Sequence, residues 1–192
     1  MKTNKLHIFK NVPELRTERL VLRKIKKSDI YDVFEYAKDP AVSEYLLWSP
    51  HESLERTRAY LDLITKKYSK LEFYDWAIEY RGKMIGTVGF TSLDLSKNIG
   101  EVGYALNSNF WGLGIATEAA RKIIEFGFCN LGLDRIFSQC IEGHNNSINV
   151  MKKCGMHFDG TDINSIYAKG KYLNITTYYL SRNDFFKNIK SN

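Results

Sequence analysis

The segment "NFWGLGIATEAARKIIEFG", Asn109 to Gly127, places Gly112 and Gly114 one residue apart, just ahead of a helical pattern. In that pattern Ala116, Ala119, Ala120, Ile123, Ile124 and Phe128 share one face, while Glu118, Arg121, Lys122 and Glu125 share the other. The first turn of a helix holds about four amide N–H groups without intrahelical partners, and the macrodipole puts roughly half a positive charge there. Glycine adds access, because it adopts positive φ and has no Cβ to keep a phosphate away from those amides. The chemistry on offer is anion binding, although a plain turn would use the same two residues. No Gly-Lys-Ser/Thr follows, which excludes a P-loop, and no βαβ frame with a distal acidic residue surrounds the pair, which argues against a dinucleotide fold. Some other phosphate-bearing ligand is left.

Other reactive side chains are sparse. Cys129, Cys140 and Cys154 are odd in number and lack metal-ligand spacing, so they read as buried free thiols, and no metal site is expected. A formal charge of +6 favours an anionic partner without choosing between a nucleotide-like cofactor and nucleic acid. The chain lacks a helix-turn-helix or an aromatic RNA-binding signature, so direct nucleic-acid binding is not expected. No apolar run approaches the roughly 18 residues of a membrane span, and the start carries no secretory pattern, so the expectation is a cytoplasmic protein without membrane contact.

The elements that must position these residues follow from periodicity. "RLVLRKI" from Arg19 alternates as a strand; "DIYDVFEYAKD" reads as a helix up to Pro40; Ser49-Pro50-His51-Glu52 opens a second helix through "SLERTRAYLDLITKKYSK". "FYDWAIEY", "RGK" and "MIGTVGFTSLD" form an antiparallel hairpin, and Ile99 to Leu106 a further strand. After the helix to Gly127 come the strand "LDRIFSQCI", a short helix "NNSINVMKKCG" ending at Gly155, and a late strand "KYLNITTYYLSR". With no linker or repeat, residues 1–192 read as one α+β domain with a mixed sheet and helices packed on it.

"GEVGYALNSNFWGLGIATEAARKIIEFGF" resembles the signature of the GNAT superfamily of N-acetyltransferases, whose acetyl-CoA loop has the form Gln/Arg-x-x-Gly-x-Gly/Ala; here Asn109 stands at the first position. Trp111 before the first glycine, "ATEA" after the second, and the segments "TERLVLRKIKKSDIYDVFEYAKDPAVSEYL", "NNSINVMKKCGM" and "KGKYLNITTYYLSRNDF" are similar to the ribosomal-protein N-terminal acetyltransferases and their relatives, in order from about Thr17 to Phe186. The resemblance implies a twisted, mostly antiparallel sheet of six to seven strands with about four helices, and a splayed strand pair that forms the CoA cleft. It also implies direct acetyl transfer from acetyl-CoA to a primary amine, either a (ribosomal) protein N-terminus or a small amine such as an amino acid, polyamine or antibiotic. A CoA-binding sensor without activity, a monomer and a homodimer all stay open, and no acidic acceptor pocket is visible.

By the same resemblance, pantetheine lies along Val102, Tyr104 and Leu106, and the pyrophosphate on Gly112, Leu113, Gly114, Ile115, Ala116 and Thr117. The helix tyrosine that many members use as an acid falls at Met151. The favoured subfamily instead has a serine near the thiol, matching Ser147, with Asn145 or Asn146 standing in for an asparagine whose position holds His144. Read from the residues alone, Ser147 is a helix N-cap. Strand alternation puts Glu101 on the side of Gly103 and Ala105, so it is a candidate general base and equally a solvated strand-end carboxylate; Asp75 and Glu142 are weaker candidates. Tyr178 could reach the acyl end or merely pack. Tyr45, Trp48 and His51 are candidate acceptor walls. The pairs Arg121-Lys122, Lys152-Lys153 and Lys169-Lys171 could meet the 3′-phosphate of CoA, and Cys154 as an acetylated nucleophile is disfavoured because nothing activates it.

Overall fold

The structure, a computed structural model, describes residues 12–68 and 75–190. The expected starts and ends at Ser69, Lys70, Phe73 and Tyr74, and the chain start read for a targeting signal, lie outside the described residues. Among the described residues eight strands form one sheet: β1 (Leu15–Arg16), β2 (Leu20–Lys24), β3 (Asp75–Tyr80), β4 (Lys83–Asp94), β5 (Ile99–Leu106), β6 (Arg135–Ile141), β7 (His157–Ala168) and β8 (Lys171–Ser181), in the order β1-β2-β3-β4-β5-β6-β8-β7. The helices are α1 (Ile30–Ala37), α2 (Pro40–Ser43), α3 (Leu54–Lys67), α4 (Ile115–Cys129), α5 (Asn145–Lys153) and α6 (Arg182–Lys190). Every strand pair is antiparallel except β5 with β6.

Alternation sorts the strands into two faces. Trp76, Ile78, Val88, Phe90, Val102 and Ile136 point to the face covered by α4, where Ile115, Ala119, Ile123 and Phe128 complete the larger core. Ala77 and Met84 point to the opposite face and join Val33, Tyr36, Leu61 and Ile64 of α1 and α3. Arg23 of β2 ties this second layer to the sheet, with bidentate bonds of 2.9 Å to Asp29, ahead of α1, and 2.5 Å to Glu79 of β3.

Three local expectations change. Pro40 does end α1, but it also starts α2 as the first helical residue, with Asp39 Oδ1 accepting the Ala41 N–H at 2.9 Å. The second long helix opens at Leu54 with Ser53 as N-cap, not at Ser49–Glu52, because the His51 N–H is taken by the Ala37 carbonyl at 2.8 Å and the segment straps back over α1. β7 was not foreseen: "HFDGTDINSIYA" shows little alternation because it is an edge strand with most side chains exposed. With β1, α2 and α6, it raises the element counts above those implied by the resemblance.

β4 and β5 approach closely at Gly86, where an added Cβ would stand 2.2 Å from the Ala105 carbonyl oxygen. A methyl there must push apart the two strands that floor the site. Gly86→Ala is therefore expected to lower stability by about 2 kcal/mol in chemical denaturation; an unchanged midpoint would mean the strands spread freely.

Candidate active site

β5 and β6 run parallel but pair only through Ile99 with Arg135, Gly100 with Ile136, and Glu101 with Phe137. From Val102 onward the β6-facing backbone of β5 has no ladder partner, while β5 stays paired to β4, and β6 to β8. The gap opens through the sheet. A cavity of about 800 Å³ fills it, reached on the α4 face by Tyr104, Ser138, Cys140, Ser147 and Gly114, and on the α1/α3 face by Glu101, Gly103, Asp75, Thr87 and Ile175.

On the α4 face the glycine loop forms the entrance. Gly112 and Gly114 have φ of 76° and 77°, a left-handed region unfavourable for other residues, and nothing lies within 4 Å of a Cβ built on Gly112. Trp111 Nε1 donates to the Leu106 carbonyl at 2.8 Å, and Arg19 Nη1 to the Leu113 carbonyl at 3.0 Å, so the loop is pinned at both ends. The helix ladder starts with Glu118 N–H to Gly114 O at 3.0 Å, leaving the Ile115, Ala116 and Thr117 amides at the cavity without intrahelical carbonyls. Glu118, whose acidity would oppose an anion, does not line this cavity; it is paired with Arg19 at 2.6 Å and accepts from the Thr17 hydroxyl at 2.5 Å. Asn109 does not line the cavity; its N–H caps on Asn107 Oδ1 at 3.0 Å in the preceding turn, so the departure at this position is a turn feature. Arg16, Arg19, Arg121, Lys122 and Lys153, with Glu18, Glu118 and Glu125 among them, line a second depression of about 540 Å³ that shares Gly114, Thr117 and Lys153 with the first.

At the centre of the gap Tyr104 and Ser147 meet. The Tyr104 hydroxyl donates to the Ser147 carbonyl at 3.1 Å and shares a 2.9 Å hydrogen bond with Ser147 Oγ. Ser147 is 6% exposed and is not the N-cap; α5 begins at Asn145 with His144 capping, which places Ser147 at the third helical position facing the cleft. Burial pushes the Tyr104 phenol well above its ordinary range, so it is a permanent donor. Met151, where a helix tyrosine would stand, is buried in the larger core. The phenol is thus supplied from the cleft strand, which the helix motif could not reveal. Cys140 and Cys154 are pushed by burial to about 11, so neither is a thiolate at neutral pH.

Across the sheet, Glu101 lines the cavity, and burial raises its carboxyl above the usual range while Thr91 partly offsets this. Asp75 lies on the same face: its Cα partner is Gly89, whose partner is Gly103, so neither floor residue between Asp75 and the gap carries a side chain, and the Thr91 methyl lies over Gly103. Tyr45, Trp48 and Leu46 form the wall, with the Tyr45 ring stacked on His144 at 4.5 Å. Lys169, at the β7–β8 turn, donates to the Ser43 carbonyl at 2.5 Å and draws the α2 segment toward this end.

Several expected site residues lie elsewhere. His51 is 8% exposed and outside the cavity; Nδ1 is 2.9 Å from Thr57 Oγ1, and burial lowers its basicity. Tyr178 sits in the larger core on the α4 face, one strand beyond β6, edge-on to Phe158, and does not reach the cavity. Val102 is also core, so only its backbone is available; Asn145 and Leu113 are exposed beside the cavity, while Asn146 lines it. Glu142 is exposed outside the cavity, hydrogen-bonded to Asn174 at 2.8 Å. Lys169 is engaged with carbonyls at the opposite end from the basic depression.

Burial pushes Asp75 to about 6, with Lys67 offsetting only part of the shift. An unfolded aspartate titrates near ~3.9, so folding is penalised progressively as pH rises from there through the folded value, and fully above it. Asp75→Asn should therefore gain stability over wild type between pH ~4 and 7, by an amount on the order of 2 kcal/mol. Thermal denaturation of both proteins across that range checks this; a pH-independent difference would show that the carboxylate is not desolvated.

A family model described as an acetyltransferase (GNAT) domain matches residues 19–157. The uncharacterized N-acetyltransferase p20 of Bacillus licheniformis is 28% identical over 173 residues, covering 89% of this chain and 97% of that protein. The uncharacterized N-acetyltransferase YnaD of Bacillus subtilis strain 168 is 30% identical over 146 residues, covering 76% of this chain and 84% of that protein. Among solved structures, a GNAT-family acetyltransferase of Bacillus anthracis superposes with a TM-score of 0.79 at 24% identity, covering 89% and 99% of the respective chains. The splayed sheet, the glycine loop and these matches agree: the chain belongs to the GNAT family of acetyltransferases, whose acyl donor is acetyl-CoA.

Proposed function

We propose that this protein transfers the acetyl group directly from acetyl-CoA to a small, cationic primary amine. The observation that carries the reading is the gap through the sheet, with a phosphate-ready helix entrance on one face and Glu101 on the other. Acetyl-CoA supplies an activated thioester; the protein supplies position and proton handling. The Ile115, Ala116 and Thr117 amides would hold the pyrophosphate, with the depression of Arg16, Arg19, Arg121, Lys122 and Lys153 beside them for the 3′-phosphate. Asn146 stands at the cavity near Ser147 and is available to pantetheine, as are the free backbone groups of β5 from Val102 to Leu106.

An amine arrives protonated at neutral pH and must lose a proton to become a nucleophile. Glu101 would accept it, directly or through water, and the raised carboxyl makes it a better base than an exposed glutamate. On the far side, one hydroxyl of the Tyr104–Ser147 pair would turn its O–H from its internal hydrogen bond to the sulfur as it gains charge. Neither hydroxyl is acidic enough to give up its proton outright, so the proton that the thiolate takes would come from water, relayed through the hydroxyl facing the sulfur, which regains one from that water in the same step.

Similar proteins span both acceptor classes. A ribosomal L7/L12 α-N-protein acetyltransferase crystallised with CoA shares the fold at 19% identity (TM-score 0.79), and spermidine N(1)-acetyltransferase of Escherichia coli K12 is 22% identical over 153 residues. The acceptor end favours the small amine over a protein N-terminus: Glu44, Asp75 and Glu101 line it, and Lys153, the cation among the described lining residues, stands at the donor end.

A thiol-release assay over amines and N-terminal peptides tests the reading, with turnover expected on small amines. Tight acetyl-CoA binding without acceptor-dependent CoA release would reduce the protein to a sensor. Glu101→Gln is expected to lower kcat by about a hundredfold or more and to remove the acidic limb of the pH profile, which for wild type falls as pH drops through a value above that of free glutamate. An unaltered limb would take Glu101 out of the base role. Gly114→Asp should weaken acetyl-CoA at least about tenfold in calorimetry, since a carboxylate would face the phosphates at the helix entrance; unchanged affinity in a folded variant would make the loop a turn only.

A further inference from the structure

The Asp75 carboxylate has an unusual position. It opens β3, faces the cavity, and accepts no hydrogen bond from any described residue, while its surroundings are dense enough to desolvate it. Of the phenols around it, Tyr68 donates to the Asp75 backbone carbonyl at 2.7 Å, while Tyr36 and Tyr60 feel the carboxylate's charge without a hydrogen bond to it. A carboxylate kept in the wall without a donor is a standing cost to the fold, and the groups that would relieve it are cations entering through the cavity. The floor is built for such contact. Asp75, Gly89 and Gly103 are successive Cα partners across β3, β4 and β5, and both partners toward the gap are glycines. Gly103 has no slack for a side chain, since an added Cβ would stand 2.6 Å from Thr91 Cγ2. Asp75 therefore faces a strip floored by Gly89 that leads toward the side of the gap where Glu101 stands, with the Thr91 methyl seated over Gly103 at its far end; the Asp75 Cα is about 10 Å from that of Gly103 across two strand spacings. Trp48 and Leu46 line the cavity with apolar surface suited to methylenes.

We propose that Asp75 determines acceptor specificity: it holds a second ammonium group of the acceptor while the reacting amine stands at Glu101, so the preferred substrates are aliphatic diamines and longer polyamines rather than monoamines. This rests on the amine-acetylation reading above and names the acceptor that its pocket selects. The chain balance is simple, since the distal ammonium neither gains nor loses a proton during transfer; it only pairs with Asp75.

The test compares putrescine and cadaverine with butylamine and pentylamine, in turnover with acetyl-CoA and in calorimetric binding to the CoA-loaded protein. Wild type is expected to prefer each diamine over the monoamine of equal length by about tenfold or more in KM and Kd. Asp75→Asn should collapse that preference toward unity, and Asp75→Glu should keep it but move the optimum to the shorter diamine. Circular dichroism of both variants confirms folding, and retained acetyl-CoA affinity shows that the donor side is intact. If wild type acetylates diamines and monoamines with equal KM, or if Asp75→Asn keeps the full preference, the Asp75 assignment is overturned while amine acetylation stands. If no amine turns over yet diamines bind in an Asp75-dependent way, acetylation fails and the ammonium site stands; absence of both overturns both.

Discussion

The active site depends on a ladder that stops early. β5 and β6 are joined by three residue pairs, Ile99 with Arg135 through Glu101 with Phe137, and then diverge. Parallel neighbours would ordinarily stay paired, because each unpaired backbone group costs free energy once water is excluded. Here each strand is held by its outer partner instead, β5 by β4 along its length and β6 by β8. The inner backbone edges are left facing one another across a gap that a ligand with its own hydrogen-bonding amides can fill. Since the gap passes through the sheet, donor and acceptor approach from opposite faces.

Alternation along one strand then divides the chemistry. Glu101, Gly103 and Ala105 face the α1/α3 layer, and Tyr104 faces α4 and α5, so a carboxylate and a phenol are brought to one opening from opposite sides. Charge is divided the same way. The donor entrance sets free amides and five Arg and Lys against three glutamates, with Glu118 paired to Arg19 and Glu125 to Lys122, whereas Glu44, Asp75 and Glu101 line the acceptor end. A net basic protein can therefore attract a polyanionic donor and still present carboxylates elsewhere in the same cavity, because the two groups are separated by the thickness of the sheet.

Much of this was legible in the residues. The alternating "GEVGYAL" placed Glu101 beside Gly103 and Ala105, and Gly112 and Gly114 marked the helix entrance; both are local facts of period and of glycine conformational freedom. His51 and Tyr178 were misplaced because an aromatic or imidazole side chain suits a pocket wall and a packed core equally, and which it meets depends on elements far away in the chain. The Tyr104–Ser147 pair was missed as a unit because its members lie 43 positions apart and meet only when α5 docks beside β5.

By itself the sequence determined what local physics controls: most strand and helix periods, the positive-φ turn at the helix entrance, the absence of nucleotide-fold signatures, and the family carried by a collinear run of motifs. The tertiary structure alone decided the rest. The sheet order sets where β5 loses its partner, Asp75 meets the gap only through Gly89 and Gly103 on two other strands, and the carboxylates of the acceptor end come from the α2 segment, β3 and β5. The reason is that pockets are made by long-range register and layer packing, which fix the distances between residues remote in the chain, and no periodicity within one segment encodes those distances.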